Sequence, residues 1–129
     1  MKPTTREWLE IATEDLDTAQ AMCDGGRYLY AGFEAQQSAE KALKAVIQET
    51  VRVPPKIHDL EALAVRASLV DPALTARLKV LSAYYIATRY PQERSALRGV
   101  TDRTKAAELV ATAREVLAWA TRRLTSTSS

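Results

Sequence analysis

The feature of the sequence that most restricts its fold is a long helical segment, residues 27–50, with polar side chains on its apolar side. At 100° per residue, one arc of this helix collects the apolar residues Phe33, Ala39, Leu43, Val46 and Ile47. Glu40 and Gln36 fall inside the same arc, and Gln37 and Lys44 lie at its edges. A buried charge must be paired or neutralised, so this arrangement predicts an internal polar network within a helical bundle.

Two further charged residues are predicted to face inward and complete this network. Asp15 lies in the middle of the apolar stripe of the first helix, and Arg89 lies at the edge of the stripe of a later helix, just before Pro91. A guanidinium stays charged and binds carboxylates or phosphates as a fork, which makes Arg89 a candidate partner for Asp15 or Glu40. The expected inward network is Asp15, Gln37, Glu40, Lys44 and Arg89. Two alternatives stay open: Asp15 reaches water at the edge of the core, and Arg89 binds a ligand instead of a carboxylate.

Helical periodicity continues through most of the chain, and no segment shows the alternation of a strand. The predicted fold is all-α, an up-and-down four-helix bundle with an additional short helix. His58 or Asp59 is expected to cap the short helix, and Asp71 with Pro72 to start the next one. Thr101 is expected to cap the final helix, after a loop over residues 91–100. The domain should comprise residues 1–124, followed by a disordered tail over residues 125–129, which lacks apolar residues.

Composition narrows the class of protein. With 129 residues, 47% hydrophobic and 26% charged, the chain has the profile of one ordinary globular domain. No apolar run is long enough to span a membrane and the first residues do not resemble a signal peptide, so a cytoplasmic protein without membrane association is expected. Because there is a single cysteine, Cys23, and a single histidine, His58, no metal site and no cofactor are expected.

The charges are distributed unevenly along the chain. Residues 1–71 hold 8 Lys/Arg and 12 Asp/Glu, whereas residues 72–129 hold 10 and 4, giving −4 and +6. The basic half can meet phosphates or an acidic protein, or its charges can serve solubility alone. Tyr90 and Trp119 point away from their apolar stripes, so both are predicted to be exposed and available for contact with a second chain.

Three segments, taken together, resemble one known family. The segment QQSAEKALKAV (residues 36–46) is followed by Ile57-His58-Asp59-Leu60 and by Ala87-Thr88-Arg89-Tyr90-Pro91. In order and spacing they are similar to the HEPN family, the higher eukaryotes and prokaryotes nucleotide-binding domain, here in its small stand-alone prokaryotic form. The resemblance implies a helical bundle, a homodimer and a nucleotide or RNA ligand. It also implies a minimal nucleotidyltransferase as partner, in a toxin–antitoxin-like pair. The predicted ligand-binding residues are Lys41, Lys44, Arg89 and Tyr90.

Catalysis is not expected from the sequence. Ribonucleases of the family use an Arg followed, after four to six residues, by a His near the start of the final long helix, and this chain has no His after residue 58. Arg52 and His58 have a similar spacing but lie in a proline-containing loop, so we interpret that match as accidental. His58 and Arg89 remain weak catalytic candidates. The alternatives to a binding module are a non-catalytic helical interaction protein and a metal-independent ribonuclease that uses His58 with Arg52 or Arg89.

Overall fold

The computed structural model describes residues 1–51, 53–87 and 89–126, and within these ranges all regular structure is helical. The helices are α1 (Pro3–Asp24), α2 (Tyr28–Thr50), α3 (Leu60–Arg66), α4 (Pro72–Ala87), α5 (Pro91–Val100) and α6 (Arg103–Ser126). The all-α prediction is confirmed, and the four long helices agree with a bundle. The structure adds a second short helix, α5, to the one expected.

Helix α2 is the central element, since it packs against each of the other five helices. Of its 23 residues, 15 are buried. Small side chains line much of its length and allow the neighbouring helices to approach closely; those buried completely are Ala31, Ala35, Ala39, Ala42 and Ala45. Ser38 Oγ donates a 2.7 Å hydrogen bond to the carbonyl oxygen of Ala12, which joins α1 to α2. Because α2 is enclosed on most sides, several of its polar residues are buried, among them Gln36, Glu40 and Lys44.

Tyr84 is the largest fully buried side chain of the described residues and packs directly on Gly32 of α2. A Cβ atom at Gly32 would lie 2.7 Å from Cδ2 of the Tyr84 ring, so any larger residue requires the ring or the helix to shift. The Tyr84 hydroxyl lies 2.6 Å from Oγ1 of Thr101, and burial raises the pKa of this phenol. This hydrogen bond satisfies the polar end of a ring that otherwise occupies the apolar core.

The predicted helix starts are partly confirmed. Asp59 caps α3 by accepting hydrogen bonds from the amides of Glu61 and Ala62, and the Asp71 carboxylate accepts from the amide of Leu74. The prediction for Thr101 was wrong, because its hydroxyl is bonded to Tyr84 and to the carbonyl of Leu97. The carboxylate of Asp102 takes that place and accepts from the Lys105 amide at 2.8 Å.

Two segments that were predicted to be irregular are helical. Residues 91–100 form α5, which has proline at its start, Glu93 in its first turn and Arg98 in its last turn, all favourable to a helix. The prediction missed α5 because the helix is short and polar and contains Gly99, so its few apolar residues do not form a long stripe. Helix α6 continues through Thr125 and Ser126, beyond the predicted end of the domain. The rest of the predicted tail, residues 127–129, lies outside the described residues.

No helix among the described residues has the length and apolar character required to cross a lipid bilayer.

Candidate functional site

The polar network predicted inside the bundle is centred on Glu40, whose side chain is 1% exposed. Its Oε2 atom lies 2.9 Å from Nζ of Lys44, one turn further along α2. Its Oε1 atom accepts a 3.1 Å hydrogen bond from Nε2 of Gln36. Nζ of Lys41 lies 3.5 Å from Oε2 and also donates to Oε1 of Gln37. Both oxygens of the buried carboxylate are therefore engaged by groups from its own helix.

These partners keep Glu40 ionised. Burial by itself would raise the pKa of the Glu40 carboxyl, but hydrogen bonds from Lys44 and Gln36 and the charges of Lys41 and Lys44 outweigh it. The resulting pKa lies below its ordinary value. An ionised carboxylate can only accept hydrogen bonds. A polar group that contacts the Glu40 carboxylate must consequently donate a hydrogen bond to it.

His58 is the link between this buried network and the surface. Its Nδ1 atom lies 3.0 Å from Oε2 and 3.1 Å from Oε1 of Glu40, while its side chain is 43% exposed. Since Glu40 can only accept, Nδ1 carries the hydrogen and Nε2 is left for an external partner. Nε2 of Gln36 also donates to the backbone carbonyl of His58 at 3.3 Å, which fixes the loop that carries the ring.

Tyr85 of α4 joins His58 to Arg89. The His58 and Tyr85 rings are stacked, with centroids 4.0 Å apart and planes inclined by 13°. The guanidinium carbon of Arg89 lies 4.6 Å from the centroid of the same Tyr85 ring, in a cation–π contact. One aromatic ring thus holds an imidazole and a guanidinium in place at the surface.

The position of Arg89 corrects the sequence prediction. Its side chain is exposed, and no carboxylate of the described residues is within ion-pair distance of its guanidinium. The inward prediction was wrong because α4 ends at Ala87, and Arg89 lies in the turn that follows, where its amide bonds to the carbonyl of Ile86. Arg89 is therefore a surface cation and does not neutralise Asp15 or Glu40.

A cavity of about 400 Å³ opens beside this group. Its lining residues are His58, Asp59, Glu61, Lys79, Ser82, Ala83, Tyr85 and Ile86. Asp59 is already used as the cap of α3, and Ser82 Oγ accepts a 3.1 Å hydrogen bond from the Leu60 amide. The ammonium of Lys79 and the imidazole of His58 are the groups of the cavity that suit an anionic ligand, while Glu61 adds a carboxylate to its lining.

The other predicted ligand-binding residues differ in their access to solvent. Lys44 is 6% exposed and is occupied by Glu40, so a ligand reaches it poorly. Lys41 is half-buried, with 20% of its side chain exposed. Tyr90 is 58% exposed at the start of α5, as predicted. The second residue expected to be exposed, Trp119, is half-buried and packs against the core, so that prediction was wrong.

Asp15 lies at the acidic edge of the network. It is half-buried on α1, and burial raises the pKa of its carboxyl, an effect that Lys41 opposes and that Glu14 and Glu40 reinforce. Burial likewise raises the pKa of Glu34, and Asp15 adds to that shift. Gln37, also half-buried, donates a 2.7 Å hydrogen bond to Oε1 of Gln36. The structure thus brings Asp15, Gln37, Glu40 and Lys44 into one electrostatic neighbourhood without Arg89.

Tyr85 is the residue of this surface group that sequence reasoning missed, since it was assigned to the apolar stripe. Its spacing to Arg89, four residues along the chain, was the available signal for a Tyr–Arg contact. Arg52, the other weak catalytic candidate, lies outside the described residues. Among the described residues, no three His, Cys, Asp or Glu side chains gather closely enough to hold a metal ion.

Comparison with known proteins gives a consistent result over nearly the whole chain. The family model described as HEPN domain matches residues 5–124. The crystal structure of TT1696 from Thermus thermophilus is 33% identical, with a TM-score of 0.80 over 94% of this chain and 98% of that one. The crystal structure of ST0689, an archaeal HEPN homologue, is 26% identical, with a TM-score of 0.78 over 95% and 98%. No curated protein matches the chain.

Proposed function

This chain belongs to the HEPN domain family, and from that premise we propose that it binds the phosphate of a nucleotide or of RNA beside the ring of Tyr85. One observation carries the proposal: His58 and Arg89 both contact the ring of Tyr85 at the surface of the bundle, and His58 is oriented by the buried Glu40 carboxylate. The guanidinium supplies a planar donor for phosphate, and no carboxylate in the described part of the chain competes for it.

The neighbouring cavity supports a nucleotide rather than a bare ion. Its volume of about 400 Å³ lies within the usual range for small-molecule sites. Lys79 adds a second cation at its edge, and Tyr90 is exposed one residue after Arg89. Lys41 is more accessible to solvent than Lys44, which serves to neutralise Glu40. We therefore assign ligand contact to Arg89, Lys79 and His58, with Lys41 and Tyr90 at the periphery.

The proposal is tested by calorimetric titration of ATP, GTP and a short single-stranded RNA into the wild-type protein and into Arg89→Ala. Arg123→Ala is the matched control, because Arg123 is an exposed arginine of α6 that lines none of the cavities named here. We expect saturable binding of at least one ligand, weakened about tenfold or more by Arg89→Ala, unaffected by the control, and reduced at higher salt. Absence of binding for all three ligands would overturn the proposal and favour a non-catalytic interaction protein.

The family also suggests how the protein assembles. We propose a homodimer that acts with a minimal nucleotidyltransferase in a toxin–antitoxin-like pair. The outward side of α4 supports an interface, because it presents the exposed apolar residues Val80, Ala83 and Ile86, with Tyr90 following in the chain. Light scattering coupled to size exclusion should give twice the chain mass, and Ile86→Asp should convert the dimer to monomer. A nucleotidyltransferase from the same genome should co-purify with the wild-type protein.

A metal-independent ribonuclease is the second candidate, and the Glu40–His58 hydrogen bond is what favours it. In such a reaction, Nε2 of His58 takes the proton of a 2′-hydroxyl and the 2′-oxygen attacks phosphorus. The bond from phosphorus to the 5′-oxygen breaks as that oxygen takes a proton from water, and the imidazolium then returns its proton to the solvent. The products are a 2′,3′-cyclic phosphate and a 5′-hydroxyl, and Arg89 would stabilise the extra negative charge at phosphorus. End-labelled RNA should yield these products with wild-type protein and none with His58→Gln. Equal cleavage by both proteins would assign the activity to a contaminant.

A further inference from the structure

A second cavity, of about 470 Å³, lies where the turn between α1 and α2 meets α5. Three arginines line it: Arg27 from the turn, and Arg94 and Arg98 from consecutive turns of α5. The phenol-bearing residues Tyr28 and Tyr30 complete its polar side. None of the described residues that line it is acidic. The cavity is thus lined by three positive charges with no carboxylate among them.

No carboxylate of the described residues forms an ion pair with these arginines. Asp24, next to the turn, accepts a 2.9 Å hydrogen bond from Nε2 of Gln20. Asp102, just beyond α5, caps α6 through the amide of Lys105. The side chains of Arg27 and Arg98 make no hydrogen bond or ion pair with any of the described residues. Like charges held together in this way favour a bound anion.

Arg94 is held in place for such an anion. Its guanidinium carbon lies 5.3 Å from the centroid of the Tyr30 ring, and its Nη2 donates a hydrogen bond to the Tyr30 hydroxyl. In a similar way, Nε of Arg103 donates to the Tyr28 hydroxyl at 3.3 Å. The two phenols thereby connect the start of α2 to arginines from α5 and α6. A guanidinium that is already ordered loses less conformational freedom when it binds a ligand.

We propose that this arginine cavity binds a polyphosphate group, either free or as part of a nucleotide. Three guanidiniums match the several negative charges of a di- or triphosphate, and their planar forks suit phosphate oxygens. The cavity volume accommodates a polyphosphate chain and falls in the range of small-molecule sites. The site shares no lining residue with the cavity beside His58 and Tyr85, so it does not depend on the function proposed above.

The test is a calorimetric titration of inorganic tripolyphosphate into the full-length protein and into single variants. Arg27→Ala and Arg98→Ala remove exposed side chains and are expected to fold normally, which thermal unfolding monitors. We expect each to weaken tripolyphosphate binding about tenfold, and Arg98→Lys to weaken it less because it keeps the charge. Arg123→Ala, at an exposed position that lines neither cavity, should bind as the wild type does. Titrations of ATP and of adenosine show which part of a nucleotide is recognised. If ATP binds and adenosine does not, the phosphates carry the recognition.

Two results would overturn the proposal. One is the absence of saturable tripolyphosphate binding to the wild-type protein. The other is tripolyphosphate affinity that Arg27→Ala and Arg98→Ala leave unchanged while Arg89→Ala removes it, which would place the anion at the His58 site. A thermal shift provides a second readout: tripolyphosphate should raise the Tm of the wild type and of Arg123→Ala, and raise it less in Arg98→Ala.

Discussion

Nδ1 of the exposed His58 lies 3.0 Å from Oε2 of the fully buried Glu40, so one hydrogen bond joins the interior of the bundle to its surface. The carboxylate is held by Lys44 and Gln36 from the same helix, and the imidazole is stacked on Tyr85. A change inside α2 is therefore expected to alter the orientation of a surface ring.

Glu40→Gln should destabilise the protein strongly. The substitution keeps the shape of the side chain but leaves the buried ammonium of Lys44 without its counter-charge, and loss of one partner of a buried pair costs about 3–5 kcal/mol. The free energy of unfolding in urea measures the loss. Glu10→Gln, at an exposed position of α1, is the control and should change stability by less than about 0.5 kcal/mol. A similarly small effect of Glu40→Gln would show that the ion pair is not required for folding.

The two acidic residues of the network should respond to pH in opposite ways. The pKa of Glu40 is below its ordinary value of 4.5, so its contribution to stability is complete above that pH and is lost as pH falls through the folded-state pKa. Burial raises the pKa of Asp15 above its ordinary value of 3.8, so its ionised form costs stability at neutral pH, and the cost disappears in acid. The free energy of unfolding in urea, measured from pH 7 to pH 3 for the wild type, Glu40→Gln and Asp15→Asn, tests both pH dependences. At pH 7 Asp15→Asn should be more stable than wild type and Glu40→Gln less stable, with both differences shrinking toward pH 3.

Arg89→Ala should leave stability nearly unchanged. Arg89 is exposed, and its described contact is with the ring of Tyr85, so its removal should cost at most about 1 kcal/mol. Thermal or urea unfolding measures this directly. Arg89→Lys, which keeps the charge, should be equally stable. Unfolding of Arg89→Ala at room temperature would instead identify the arginine as a structural element and remove it from the proposed ligand site.

Gly32→Ala should destabilise the protein even though alanine favours a helix. The gain in helix propensity is about 1 kcal/mol. The added Cβ would lie 2.7 Å from Tyr84 Cδ2, and the ring is fully buried and cannot move away freely. Overpacking of this kind costs about 1–3 kcal/mol, so we expect a net loss of about 1 kcal/mol in urea unfolding. The exposed Gly99 of α5 is the control: Gly99→Ala has open space around it and should be stabilising.

The sequence predicted the central helix and its buried carboxylate because both follow from periodicity. Glu40 and Lys44 lie one turn apart on the same helix, so their pairing is a local property. Tyr85 and His58 are 27 residues apart, and their stacking depends on how α4 packs beside the loop before α3, which periodicity does not describe. Arg89 was misplaced because the helical periodicity of α4 was continued as far as Arg89, which instead lies in a turn, where that periodicity no longer gives the direction of a side chain.

Helix α5 buries none of its residues, although Leu97 packs against the core, and Arg94 and Thr101 tie its ends to Tyr30 and Tyr84. Such an element opens locally at a low cost in free energy, so its amide hydrogens should exchange with deuterium much faster than those of α2. Because Arg94 and Arg98 are carried by this same helix, occupancy of the arginine cavity should slow exchange selectively across residues 91–100. Ligand binding at the arginine cavity could then be detected as increased protection of the α5 amides from hydrogen exchange.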